Sequence, residues 1–178
     1  MIPTLIDTTT ISSNTATVSF TGIDSTYDEY MFIWYGAIGE NQQEFMFQVS
    51  TDNGSSYGVT LTSTFFHAEH DEIDSAPTLA YVGGGYDRAQ ETLYQKLARE
   101  SNNSADDGDC GVLHLFSPSN TTYVKHFYAI TNCSTISGDI RYSFPAGYFN
   151  TTSAVDALQF KYASGDIERG VFKIFGIA

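Results

Sequence analysis

Short runs of β-branched and aromatic residues, with apolar side chains at every second position, dominate the chain. Val18 and Phe20 share one face of such a run, and Phe45, Phe47 and Val49 share one face of another. This alternation predicts strands with one buried face, and Gly, Asn, Asp and Ser separate them. The predicted strands are 15–20, 27–35, 44–50, 57–63, 78–82, 111–116, 123–130, 139–144, 155–162 and 171–177.

Two pairs of neighbouring strands are expected to form hairpins in the first and central parts of the chain. Asn53-Gly54 favours a tight turn, because both residues tolerate positive φ, so 44–63 is predicted as a hairpin. A second hairpin joins 111–116 to 123–130, with Phe116 opposite Tyr123. In that register position 110 faces 129 and position 133 faces 106.

The last two predicted strands are also read as a hairpin. With Tyr162 opposite Gly170, Phe160 faces Phe172 and Leu158 faces Ile174. These four apolar side chains then share one face. A sheet packed on a core has this pattern.

The middle of the chain is less regular. Residues 64–74 mix aromatic residues with acids, and 101–108 read as an exposed polar loop. Residues 88–99 fit a helix through Ala89, Leu93 and Leu97, although a strand over 92–98 is favoured because neighbouring strands need partners.

Many short strands with little or no helix predict an all-β fold, an antiparallel β-sandwich that is jelly-roll-like, with about nine or ten strands. The predicted domains are an N-terminal arm, 1–14, and a single β-sandwich domain, 15–178.

The net charge of the chain excludes some classes of binding partner. The 178 residues carry 8 basic and 21 acidic side chains, a formal charge of −13. Binding to nucleic acid or to an anionic membrane requires clustered Lys and Arg, so neither is expected as a partner. The start of the sequence has no basic stretch followed by an apolar core, and no run is long enough for a membrane helix, which predicts synthesis in a cytoplasm.

Several residues are candidates for chemistry. His67, Glu69, His70, Asp71 and Glu72 resemble a metal-ligand cluster, but a strand or loop places i and i+3 on different faces, and a solvated acidic loop is the preferred interpretation.

The other candidates have equally plain interpretations. Asp106, Asp107 and Asp109 with Asn103 lack the frame of a calcium loop, and Gly83-Gly84-Gly85 lacks the helix and Lys of a phosphate loop. His114 and His126 lie in one predicted hairpin without facing each other, and are taken as strand residues. Glycoside cleavage stays open, because 21 acids offer many carboxylate pairs.

No catalytic, cofactor-binding or metal-binding residue is therefore assigned, and no cofactor is expected. Cys110 and Cys133 are predicted to be free thiols, because the expected register holds them about 13 Å apart along the strand. The Asn-x-Ser/Thr sequons at Asn53, Asn102, Asn120, Asn132 and Asn150 are attributed to chance in a Ser/Thr-rich chain.

The strand at 27–35 is apolar on both faces. Tyr30, Phe32 and Trp34 alternate on the face expected in the core, while Tyr27, Met31, Ile33 and Tyr35 lie on the other. A strand apolar on both sides is covered on both sides or lies at a subunit interface, which favours an oligomer.

Four segments together resemble a family of small β proteins encoded by tailed bacteriophages, particularly marine ones. They are ATVSFTGIDSTYDEYMF at 16–32, VSTDNGSSY at 49–57, GVLHLFSPSNTTYVKHFYAIT at 111–131 and AGYFNTTSAVDALQFKYASGDIERGVFKIFGI at 146–177. The closing SGDIERGVFKIFGI is the most specific, whereas 64–109 departs from the pattern.

The resemblance implies a virion structural protein with a jelly-roll-like sandwich, and it carries over no catalytic residue. The expected function is capsid decoration, with the major capsid protein as partner, a homotrimer as the assembly, and the capsid exterior of the virion as the location. The alternatives are a tail-fibre or receptor-binding module that recognises host-surface glycan and, less favoured, a polysaccharide-cleaving enzyme.

Overall fold

The structure is a computed structural model that describes residues 2–75 and 77–178. In these residues every paired strand is antiparallel and no helix occurs, which confirms the all-β prediction. The strands are β1 Thr4–Ile11, β2 Val18–Thr21, β3 Glu29–Gly39, β4 Phe45–Ser50, β5 Leu61–Asp71, β6 Thr78–Tyr81, β7 Ala89–Glu91, β8 Gln95–Lys96, β9 Asp109–Phe116, β10 Lys125–Ser134, β11 Asp139–Phe149, β12 Ala157–Tyr162 and β13 Ile167–Ile177.

Eight of these strands form a jelly roll. One half of the larger sheet has the order β1-β13-β3-β9, and the smaller sheet has the order β2-β12-β4-β8. Counted along the chain, the first, eighth, third and sixth strands of the roll therefore lie opposite the second, seventh, fourth and fifth. This is the double Greek key of a jelly roll, so the predicted architecture is confirmed.

The remaining five strands extend the larger sheet beyond the roll. β5, β6 and β7 are inserted between β4 and β8, and β10 and β11 are inserted between β9 and β12. They continue the sheet from β9 in the order β10-β11-β5-β6, with β7 also paired to β5. The larger sheet thus has nine strands against four. The strands beyond the nine or ten predicted are β1 and the short β7 and β8.

Aromatic side chains from both sheets fill the space between them. Phe45 and Phe160 of the smaller sheet stack with ring centroids 5.5 Å apart, and Trp34 of the larger sheet lies 5.6 Å from Phe160. Such pairs add about 0.5–1.5 kcal/mol each beyond the area they bury. Tyr30, Phe32 and Trp34 all belong to this core, as their alternation predicts.

The hairpin predicted over 44–63 is wrong, although its turn is correct. Asn53 and Gly54 have φ of 58° and 78°, and Ser55 N donates to Asp52 O over 3.3 Å. The strands on either side do not pair, because β4 lies between β12 and β8 in the smaller sheet while β5 belongs to the larger one. The turn therefore carries the chain from one sheet to the other.

The hairpin predicted at the end of the chain is wrong for the same reason. β12 pairs with β2 and β4, whereas β13 pairs with β1 and β3. The buried faces were correctly assigned, because Phe160 and Phe172 do meet, with centroids 5.9 Å apart. They meet across the sandwich instead of side by side in one sheet.

The central hairpin is confirmed with a different register. Leu115 lies opposite Phe127, which shifts the pairing by three residues from the prediction and places Cys110 opposite Asn132. Both cysteines are free thiols as predicted, but the expected separation of about 13 Å along the strand is wrong, because Cys110 lies opposite the neighbour of Cys133. They lie on opposite faces of the sheet, with Cys110 exposed and Cys133 buried.

The segments expected to be irregular or separate also form strands. β5 covers most of 64–74, and residues 88–99 contain the short β7 and β8 in place of a helix, with β8 inside the favoured strand segment. The N-terminal segment expected as an arm contains β1, which pairs with β13 from Thr4 to Ile11. Backbone hydrogen bonds hold β1 in the sheet even though most of its side chains are exposed.

Candidate functional site

The main candidate site is the outward side of the larger sheet, where apolar side chains are concentrated. The term outer face is used here for the outward side chains of six adjacent strands, β3, β9, β10, β11, β5 and β6. Its members are Glu29, Met31, Ile33, Tyr35, Cys110, Val112, His114, Phe116, His126, Tyr128, Ile130, Asn132, Ser134, Ile140, Tyr142, Phe144, Ala146, Tyr148, Thr62, Thr64, Phe66, Ala68, His70, Leu79 and Tyr81.

An apolar row crosses the outer face from strand to strand. Ile33 lies opposite Val112, which lies opposite Ile130. Further along, Phe144 lies opposite Phe66 and Phe66 opposite Tyr81. The rings of Phe66 and Phe144 stack with centroids 4.8 Å apart. Antiparallel sheets usually present polar side chains to water, so this row is unusual for an outward surface.

A second aromatic cluster lies beside the row. The ring of Tyr128 stacks on His114 at 4.7 Å and on Phe116 at 5.8 Å. Glu29 forms a hydrogen bond with the Nδ1 of His114. The one carboxylate on the outer face thus has a partner on the same face.

Charge is almost absent from the outer face of this acidic protein. Among the described strand residues that define the face, Glu29 is the only Asp or Glu, and none is Lys or Arg. Lys173 lies beside it on β13, with its Nζ 5.5 Å from the ring centre of Tyr35. Depletion of charge together with enrichment in aromatic residues is the composition of an interface core.

The inward side of the extension contributes Phe127 and Phe149 to the core, but it also holds a polar cluster. His67 is buried, and its Nε2 lies 3.9 Å from a carboxylate oxygen of Glu69. Arg141 donates to Glu69 and to the carbonyl oxygen of Arg99, the latter over 3.2 Å. Burial lowers the pKa of His67, and the hydrogen bond from Arg141 lowers that of Glu69. This arrangement is an ion pair between Arg141 and Glu69 beside the buried imidazole of His67.

The suspected metal cluster is therefore divided between the two faces of β5. His67 and Glu69 point inward, whereas His70 points outward and lies 3.1 Å from Asp74. The prediction that a strand places i and i+3 on different faces is confirmed. The preferred interpretation as a solvated acidic loop is wrong, because the segment is a strand. No group of three metal-ligating side chains comes together within 2–75 and 77–178.

The carboxylates of the acidic run near position 107 also lie in different environments. Asp107 accepts hydrogen bonds from Asn102 over 2.6 Å and from Ser134 over 2.5 Å. Asp109 is buried and accepts a hydrogen bond of 3.0 Å from Tyr162 Oη, and burial raises its pKa to about 7. Asp106 is exposed at the rim of an open acidic cleft that also includes Asp71 and Asp139.

The remaining sequence candidates occupy separate places. Gly83-Gly84-Gly85 forms part of the connection between β6 and β7, where Gly84 and Gly85 have positive φ. His114 lies opposite Tyr128 and His126 opposite Tyr148, so the two histidines do not face each other, as predicted. The sequence pointed to β3 as an interface strand, but missed the contribution of β5, β6 and β11.

Comparisons with known proteins add little. No family model matches the chain, and no curated protein matches it. The chain resembles parts of two solved structures, of the Gx and Gt strains of infectious bursal disease virus, with TM-scores of 0.16 and 0.13 and identities of 10% and 12%. The alignments cover 99% and 97% of this chain but only 40% and 41% of those chains. Likenesses this weak carry no argument. No helix able to span a membrane occurs in the described ranges.

Proposed function

We propose that the protein is a structural component of a tailed-phage virion, a decoration protein on the outside of the capsid. One observation carries the proposal: a strongly acidic jelly roll presents a broad sheet face that is nearly free of charge. Such a face indicates a lasting macromolecular contact. The resemblance of both ends of the chain to proteins of tailed bacteriophages supports a phage virion as the setting. The expected partners are the major capsid protein and further copies of this chain.

The proposed mechanism is mass action. A protein that binds the assembled shell, and not its dissociated subunits, stabilises the shell by about 2.7 kcal/mol per site at a concentration 100 times the Kd. Burial of interface across adjacent capsid subunits is the source of that energy. No residue of this chain performs a chemical step in the proposal, so the protein is not expected to be an enzyme.

The test uses expanded capsids that lack the protein. Purified full-length chain should bind them at a saturating copy number fixed by capsid symmetry, and should raise the temperature at which they break. Capsids without added protein, and capsids given an unrelated acidic jelly-roll protein, serve as controls. Binding confined to the tail tip or to host cells would overturn the assignment.

The second candidate is a tail-fibre or receptor-binding module, and the exposed aromatic side chains on the outer face favour it. Tyr128 and Tyr142 are both partly exposed there, and such rings can stack on sugars. Binding of host-surface polysaccharide, lost in Tyr128→Ala and Tyr142→Ala, would promote this candidate. Cleavage of the polysaccharide, abolished by one Asp or Glu substitution, would instead indicate the enzyme.

A further inference from the structure

The outer face leaves large apolar side chains exposed to solvent in the single chain. We propose that this face is buried against the same face of a second copy of the chain, in a two-fold dimer. The inference goes beyond capsid decoration and does not depend on it, because it concerns the free protein in solution. When two outer faces cover each other, the capsid meets other surfaces of the dimer, so capsid binding and dimer formation can each fail without the other.

The first argument is the extent of the exposed apolar surface. Phe66 and Tyr142 are each 42% exposed, and Leu79 at the far edge is 76% exposed. Single exposed apolar residues are ordinary, but Phe66 lies in the apolar row that contains Ile33 and Val112, and Tyr142 and Leu79 lie in the adjacent row of the same face. Soluble monomers rarely expose continuous apolar patches larger than a few hundred Å².

The second argument is size. The 25 outward positions of the six strands, with strands about 4.8 Å apart and outward positions about 6.8 Å apart along each, give a face of about 800 Å². A stable interface of standard size buries about 800 Å² on each partner. The outer face is thus large enough for a stable dimer.

The third argument is charge, which selects the occupant. Two copies with a formal charge of −13 each repel one another wherever their carboxylates meet. On the outer face they bring together one carboxylate each, Glu29, which is already hydrogen-bonded to His114. A strongly basic or acidic partner would find nothing to pair with there, whereas an identical neutral face is complementary.

The fourth argument is symmetry. An interface between two copies related by a two-fold axis uses the same patch on both, so apolar rows meet apolar rows. Two sheets packed face to face lie about 10 Å apart with their strands roughly aligned. The three-fold assembly expected from the sequence divides the contact between two different patches, and so does not use one continuous face in this way.

The principal experiment measures the mass of the full-length chain by analytical ultracentrifugation over a range of concentrations. The unmodified chain should sediment as a dimer at micromolar concentration. Phe66→Glu and Tyr142→Glu each place two carboxylates in the apolar contact, and should weaken dimerisation by about 100-fold or more. Leu93→Glu and Tyr123→Glu add the same charge at exposed positions outside the outer face, and should leave the mass unchanged.

A second measurement separates lost dimerisation from lost folding. Cys110 belongs to the outer face and is exposed, whereas Cys133 is buried, so a maleimide reagent reports on Cys110 in the native chain. Its labelling should slow as the concentration rises, and should return to the fast rate in Phe66→Glu while Cys133 stays unlabelled. Labelling of both cysteines would identify an unfolded variant, and Tyr142→Glu then decides.

The proposal fails under clear outcomes. A monomer at all concentrations, or a dimer that survives both outer-face substitutions in folded protein, overturns it. A trimer overturns the two-fold packing. Binding of a glycan to a monomeric chain through Tyr128 and Tyr142 would assign the face to sugar instead.

Discussion

At the scale of single residues, the most unusual group is the carboxyl of Asp109. It is buried at the start of β9 and accepts a hydrogen bond of 3.0 Å from Tyr162, whose hydroxyl group lies 3.1 Å from the carbonyl oxygen of Ala37. Burial raises the pKa of this carboxyl from 3.8 to about 7. The folded protein therefore holds a proton that the unfolded chain releases over this range.

This shift predicts that stability falls as the pH rises. Between about pH 4 and pH 7 the folded chain binds more protons at Asp109 than the unfolded chain, so the free energy of unfolding decreases with pH and levels off above pH 7. Asp109→Asn removes this titration. The change that it causes in the free energy of unfolding should therefore be more stabilising at pH 8 than at pH 4, by roughly 2–4 kcal/mol. Urea unfolding at both pH values measures the difference.

The matched control for this prediction is Asp106→Asn, which neutralises an exposed carboxyl in the turn that precedes β9. It should leave the pH dependence unchanged. Equal stability changes for Asp109→Asn at pH 4 and pH 8 would show that the buried carboxyl does not titrate as described.

At the scale of strands, alternation predicted which side chains are buried but not which strands pair. Leu158 and Phe160 alternate as expected on β12, and Phe172 and Ile174 do so on β13. Alternation reports a strand's two environments and contains no information about its neighbour. In a jelly roll, consecutive strands cross between sheets, so a short connection does not imply a hairpin.

β5 was missed for a different reason. Its inward positions include the polar His67 and Glu69, whereas its outward positions include Phe66 and Ala68. The usual contrast between an apolar core side and a polar solvent side is therefore absent. The polar inward residues are held by the ion pair with Arg141, a partner 72 residues away from Glu69 along the chain, which no local pattern reveals.

The position of a strand in its sheet predicts its rate of amide hydrogen exchange. β13 is paired on both sides, with β1 and β3, whereas β1 and β6 each have one neighbour and mostly exposed side chains. Amides of β1 and β6 should exchange much faster than those of β13 and β3, because edge strands open locally at lower free energy. Exchange followed by mass spectrometry measures this order.

The comparison between β1 and β13 provides the critical result. The backbone amides at the nine paired positions of β3, and those of β13, should exchange most slowly. Protection of β1 equal to that of β13 in dilute, monomeric protein would contradict the edge position of β1.

At the scale of the whole molecule, charge and apolar surface are separated. The chain carries 21 acidic residues, and its outer face has one of them. The sequence indicated an interface through the two apolar sides of 27–35, but it could not show the full face, because that face forms only when β5, β6, β10 and β11 join β9. The architecture was predictable from local patterns, whereas the site depends on contacts between distant segments.

This separation predicts an unusual response to salt. The contact between two outer faces is apolar, while the rest of each copy is strongly negative, so added salt should screen the repulsion and tighten the dimer. The dimer Kd, measured by sedimentation at 20 mM and 500 mM sodium chloride, should fall as the salt rises. A Kd that increases with salt would instead indicate ionic contacts across the interface.

The five added strands enter the eight-stranded roll as two insertions in the chain, one between β4 and β8 and one between β9 and β12. Their inward side chains share the core of the roll, because Phe47 packs on Phe127 and Phe149, whereas their outward side chains make no part of that core and can vary. A scaffold arranged in this way is modular, because the outward side chains that meet other molecules can change in evolution without a change in the eight-stranded roll.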